Sequence, residues 1–167
     1  MPDPVTPPPG VIPLCPHKGC AFKCCNFQQM AHIVMYPGEL EAAVAQGKSV
    51  GHLQVLDANF HGGVSVRCRA QDTSNCDHGY KPLDCVSYPF FPELSPAPAG
   101  TDQPRPPVTT CKGAGCPIAS HEIPYHERFV RETWQRLVDG DEKIAAWLVA
   151  FGSEYTDSVD PEPYAPI

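Results

Sequence analysis

Apolar and polar positions change over in short stretches along most of this chain, and a helical period takes hold only near its end. Met30 to Met35 (MAHIVM) is a brief, nearly continuous apolar run that predicts a buried strand. Tyr36-Pro37-Gly38 then turns the chain. Glu39 to Gln46 (ELEAAVAQ) collects strong helix formers, with Pro37 near the first helical position and Gly47 just past the end, which predicts a short helix. His52 to Leu56 and Val64 to Arg69 read as two strands separated by Asn59 and Gly62-Gly63, a hairpin whose second strand delivers Cys68. From Pro124 onward, Phe129, Val130, Thr133, Trp134, Leu137 and Val138 recur on one side at helical spacing. Gly140 interrupts this pattern, and Asp141 to Phe151 predicts a second helix presenting Ile144, Trp147, Leu148 and Phe151. Core packing accounts for these aromatic residues.

Composition changes the reading of the remainder. The 167 residues fit one domain, but 21 prolines and 9 cysteines both exceed ordinary globular usage. Six of the prolines fall within residues 1–14 and predict an extended, proline-rich arm. Residues 15–91 form a cysteine-rich core. Residues 92–110 (PELSPAPAGTDQPRPPVTT) have little to bury and predict a mobile surface loop. Residues 111–151 hold closing cysteines and the two helices, and residues 152–167 form an acidic tail. The expected fold is a small, irregular α+β domain stapled by metal: short strands and one short helix around a cysteine cluster, followed by two C-terminal helices.

The formal net charge of −7 is concentrated late, since Asp139 to the end holds seven acids and one base. The body is close to neutral. Nucleic-acid binding needs a basic face that displaces counterions, and none is visible, so nucleic acid is not an expected partner. Met1 to Val11 (MPDPVTPPPGV) lacks the basic, apolar and small-residue regions of a secretory signal, and no stretch reaches the length of a membrane span. The expectation is therefore a cytoplasmic protein whose thiols are reduced or metal-bound.

The nine cysteines fall into three groups. Cys15, Cys20, Cys24 and Cys25 read C-x4-C-x3-C-C, Cys68, Cys76 and Cys85 read C-x7-C-x8-C, and Cys111 and Cys116 read C-x4-C. Short spacings let one loop present two thiolates to one ion, and a distant pair closes the site. Adjacent side chains diverge, so Cys24 and Cys25 are not expected to act as two equivalent ligands of one mononuclear ion. They serve different centres, cap a polynuclear cluster, or leave one as a spectator. Two closed four-thiolate sites would use eight cysteines and leave one over. Scattered buried cysteines would not group so tightly, and disulfides would need an oxidising compartment and leave an odd thiol. Metal ligation is the preferred reading.

The order of these residues resembles the YkgJ-type cysteine-cluster family, a zinc- or iron-chelating domain with a CxxCxxCC signature. Cys24-Cys25 corresponds to its double cysteine and Cys68 and Cys76 to its middle pair. Tyr80-Lys81-Pro82-Leu83-Asp84-Cys85 corresponds to its Arg-Pro-x-x-Cys element, and Tyr88-Pro89-Phe90 and Cys111-Lys112-Gly113 to its Tyr-Pro-Phe and Cys-x-Gly elements. The resemblance spans roughly residues 15–115. The leading spacings are longer than the family's, Lys81 and Val86 stand where the family has arginine, and Cys116 has no counterpart. The implied metal ligands are Cys15, Cys20, Cys24, Cys25, Cys68, Cys76, Cys85 and Cys111. Thiolates suit both zinc and iron–sulfur clusters. A protein-modifying enzyme in the family's neighbourhood, the flagellin lysine methylase, is similar in carrying such a cluster and favours iron–sulfur.

His17 lies between two cysteines but reads as a loop residue, and His121 and His126 miss the i, i+4 spacing of a helical zinc site. His52 and His61 flank the hairpin and read as ordinary, though either could complete an open coordination position. No nucleophile elbow, phosphate loop or dinucleotide fingerprint is present. Two functions are consistent with these residues: a metal-cluster protein with a structural, electron-transfer or metal-handling role, or a metal-dependent enzyme or accessory subunit that modifies a protein or peptide substrate. A third option is a module that presents its proline-rich segments to a protein partner.

Overall fold

Ile33, Val34 and Met35 form a strand, β1 (Ile33–Met35), that is buried on both faces. Side chains alternate across a strand, so Ile33 and Met35 enter one apolar cluster while Val34 enters another. This short strand is the wall between two cores. The computed structural model describes residues 33–72, 76–100, 104–112 and 124–158, apart from the side chains of Phe60, Lys112 and residues 153–158. The expected N-terminal arm, the first cysteine group, Cys116 and the end of the acidic tail lie outside the described residues.

Helix α1 (Glu39–Ala45) starts after Gly38 and ends just before Gly47, as its flanking residues predict. Strands β2 (Leu53–Ala58) and β3 (Val64–Cys68) form the expected antiparallel hairpin, with Leu53 opposite Cys68 and a bulge between Val55 and Asp57. β3 also pairs with β1, placing Ile33 opposite Val66 and Met35 opposite Val64, so the sheet order is β1-β3-β2. The hairpin's turn closes tightly: a Cβ on Gly63 would collide with Asn59 Oδ1 and Trp147 Nε1, and Trp147 Nε1–H donates to Asn59 Oδ1 at 2.9 Å.

The sequence pattern predicts one short helix before the C-terminal pair, and the structure contains two. Helix α2 (Leu83–Ser87) follows Pro82, which serves as its N-cap without a side-chain cap. A five-residue helix offers too little periodicity to be read from sequence, and tertiary contacts hold it instead. A second, two-stranded sheet pairs β4 (Phe90–Glu93) with β5 (Thr109–Lys112). Both strands lie at the ends of the segment expected to be a surface loop. Leu94 and Val108 are buried there, and Val108 N–H donates to Gln135 Oε1 at 2.7 Å.

Helices α3 (Pro124–Gly140) and α4 (Glu142–Ser158) pack against each other as their patterns predict. Val130, Trp134, Val138, Ile144, Ala145, Trp147 and Leu148 join Val34, Phe90, Leu94 and Val108 in the larger cluster. Trp134 and Trp147 lie nearly parallel with ring centroids 6.1 Å apart, and Phe151 continues the stack at 5.2 Å from Trp147. The architecture is a small mixed α+β domain with two short sheets and four helices.

Candidate functional site

The smaller cluster consists of Ile33, Met35, Leu53 and Val66, with Leu40, Val50, Val64, Tyr80, Cys68 and Cys85 packed around it. Cys68 arrives as the last residue of β3, on the same face of the sheet as Val64 and Val66 because all three share strand parity. Cys85 arrives from the middle of α2. Two cysteines from different sequence positions thus meet the same apolar patch, and both are half-buried.

Cys76 sits in the loop between them. Cys76, Asp77 and His78 are three consecutive residues in the left-handed region, with φ of 54°, 52° and 59°. That conformation is costly for residues other than glycine. The Asp77 carboxylate stabilises it by accepting the N–H groups of Asp72 at 2.7 Å and Gln71 at 2.9 Å, which hold its carboxyl below the usual range. Gly79 N–H closes the turn on Cys76 O at 2.8 Å. Cys111 lies elsewhere, exposed on β5 opposite Phe91, where partial desolvation and then the Glu93 carboxylate push its thiol up.

Among the described residues, no three His, Cys, Asp or Glu side chains gather where they could hold a metal ion. No disulfide joins Cys68, Cys76, Cys85 and Cys111 to one another. The structure brings Cys68 and Cys85 to one patch and places Cys76 in the connecting loop and Cys111 on the second sheet. Cys15, Cys20, Cys24 and Cys25, with His17 and His121, lie outside the described residues.

Two of the histidines, His52 and His126, are engaged by backbone carbonyls. His52 is buried and its Nε2–H donates to Tyr80 O at 2.9 Å, while its ring lies so close to Gly79 that a Cβ there would collide with it. His126 is buried in the first turn of α3, and its Nε2–H is shared between Ser87 O at 3.2 Å and Tyr88 O at 3.0 Å. Burial lowers its pKa from 6.5 despite those bonds. His61 lies in the hairpin turn with a φ of 49°.

The residues that organise this region were not evident in the sequence. Glu39, the first residue of α1, is only 1% exposed. Its Oε1 accepts Leu83 N–H at 2.7 Å and the Tyr80 hydroxyl at 2.9 Å, and its Oε2 accepts Tyr36 N–H at 3.2 Å. Burial nevertheless dominates and pushes its carboxyl up to about 7. Burial and then the nearby Glu39 push the Tyr36 hydroxyl up to about 12. Asp84 Oδ2 accepts Val34 N–H at 3.0 Å. Val34 and Tyr36 present these amides away from β3, where the Asp84 and Glu39 carboxyl groups accept them. An acid in an alanine-rich helical stretch reads as solvent-facing, and no local signal marks Glu39 as buried.

Compared with known proteins, the chain matches no family model, no curated protein and no solved structure. Among the described residues, no helix is long and apolar enough to cross a membrane.

Proposed function

We propose that this chain is a cysteine-rich metalloprotein that binds an iron–sulfur cluster or zinc through clustered thiolates, with a structural, electron-transfer or metal-handling role. The observation that carries this reading is the packing of Cys68 and Cys85, 17 positions apart, against one apolar patch. Their chemistry fits a soft metal, since thiolate sulfur suits zinc and iron–sulfur centres. In this reading the two join Cys15, Cys20, Cys24, Cys25, Cys76 and Cys111 as the proposed thiolate ligands. The resemblance to the YkgJ-type family and the spacing of Cys15, Cys20, Cys24 and Cys25 support that assignment, and iron–sulfur is the favoured occupant. Bound metal would cross-link the segments that carry its ligands and hold their thiols deprotonated.

The chain's own contribution is a dry, pre-shaped wall. Leu53, Val66 and Met35 exclude water on one side of the cysteines, which strengthens metal–thiolate attraction. The test is metal content after anaerobic expression of Cys68→Ser, Cys85→Ser and Cys111→Ser proteins. The first two are expected to lose most of the metal held by the native chain. Full metal retention in both would overturn the assignment. The alternative, a metal-dependent enzyme or accessory subunit acting on a protein or peptide, differs in requiring an open coordination position that an added peptide or small anion perturbs spectroscopically.

A further inference from the structure

We infer that Pro104 to Pro107 (Pro-Arg-Pro-Pro) is a preformed polyproline ridge that docks in the aromatic-lined groove of a proline-recognition domain on a protein partner. The inference stands apart from the metalloprotein reading. Strands β4 and β5 pair as far as Glu93 and Thr109, so residues 94–108 leave one end of that sheet and return to it. Each proline fixes its own φ near −65° and brings no N–H to a ladder, and a residue ahead of a proline is driven to extended or polyproline backbone. Arg105 and Pro106 both stand ahead of prolines. The run therefore favours a left-handed polyproline helix with three residues per turn.

Burial follows that period. Pro104, Pro106 and Pro107 are exposed, whereas the Arg105 side chain is 27% exposed and Val108 only 1%. Residues three apart in a polyproline helix share a side, which puts Arg105 and Val108 together towards the body. Both are held there. Val108 joins the larger core and donates its N–H to Gln135 Oε1 at 2.7 Å, while Arg105 donates from Nη2 to Glu142 Oε1 at 3.0 Å and from Nη1 to Oε2 at 3.3 Å. Pro104 and Pro107 are the other pair three apart, and they face solvent with Pro106 beside them. This is the Pro-x-x-Pro spacing that aromatic-lined grooves take up. Exposed proline rings gain from burial against aromatic rings, and a segment already ordered loses little conformational freedom on binding. Charge narrows the partner further. Arg105 is the single cation of residues 92–110, and its guanidinium is turned to Glu142. The ridge thus offers proline rings without an adjacent free positive charge, which fits a groove that selects on the rings themselves.

The test titrates the full-length chain against purified WW, SH3 and EVH1 domains, each first shown to bind a proline-rich control peptide, with the dissociation constant as the readout. The chain holds 21 prolines, so variants must locate the contact. Native protein is compared with Pro104→Ala/Pro107→Ala, Pro107→Ala, Arg105→Ala and Pro7→Ala/Pro8→Ala/Pro9→Ala, and thermal unfolding checks that each is folded. The native chain is expected to bind at least one domain, and to bind it more tightly than a synthetic peptide of residues 102–110, which lacks Gln135 and Glu142 as anchors. The double substitution on the ridge is expected to weaken binding about 10-fold or more, the loss that removing an anchoring side chain gives. Pro107→Ala is expected to give a smaller loss in the same direction and serves if the double variant fails to fold. Arg105→Ala and the N-terminal triple variant are expected to keep the native affinity within about 3-fold, since an exposed ion pair contributes little and the ridge is intact. Absence of binding to every domain overturns the proposal. So does native affinity in the folded ridge variants, a peptide that binds as tightly as the chain, or a loss of binding on changing Arg105 or the N-terminal prolines.

Discussion

Folding removes the Glu39 carboxyl group from water, and three hydrogen bonds do not fully offset that loss. Its pKa rises from 4.5 to about 7, so between those values the folded chain holds a proton that the unfolded chain releases. Stability must then fall as pH rises through this window and level off above it, by about 3 kcal/mol in total for a shift of this size. Denaturant unfolding at a series of pH values is expected to show this decline, and Glu39→Gln is expected to remove it. His126 acts in the opposite direction. Burial lowers its pKa below 6.5, so the unfolded chain takes up the proton first and stability falls as pH drops below that value. Replacing His126 with Gln is expected to flatten the acid side of the profile. At Gly63, alanine has no room beside Asn59 and Trp147, and Gly63→Ala is expected to cost about 2 kcal/mol or more in the same measurement.

Among the elements, those with their own signal were legible. α1 is bracketed by Pro37 and Gly47, α3 and α4 by a sustained apolar stripe and Gly140, and the β2–β3 hairpin by its glycine pair. The elements that were missed draw their order from distant partners. α2 depends on Glu39 and on the Trp134 Nε1–H donated to Ser87 Oγ at 2.9 Å, while β4 and β5 depend on each other and on Gln135. Nothing within a five-residue window announces such bonds. The larger cluster also joins the two halves of the chain, since Val34, Phe90 and Val108 pack with the C-terminal helices. Truncating its centre should therefore destabilise the whole domain: Leu148→Ala is expected to cost about 3 kcal/mol. Breaking the surface pair of Arg105 with Glu142 by Glu142→Ala should cost under about 1 kcal/mol, because Glu142 is well exposed. Chemical denaturation of the two variants side by side checks both values.

For the molecule as a whole, the α+β class was legible from the mixture of short strands and late helical period. The candidate site was legible only as a list of thiols, because convergence in space is a property of packing and spacing alone does not supply it. The structure places Cys68 and Cys85 on a small core of four buried residues, next to a larger core of eleven. A core of four side chains gives limited stability by burial alone, and a structural metal site can add on the order of 10 kcal/mol. On the proposed metalloprotein reading, removing metal is expected to expose the amides of β2, β3 and α2 to hydrogen exchange while α3 and α4 keep their protection. The central claim meets its most direct test in the native chain purified without oxygen, with metal content and absorption spectrum measured on the same sample. The expected result is at least about one equivalent of zinc, or iron with matching inorganic sulfide and visible thiolate–iron absorption. Less than about half an equivalent of any transition metal, with all nine cysteines titrating as ordinary thiols, would contradict it.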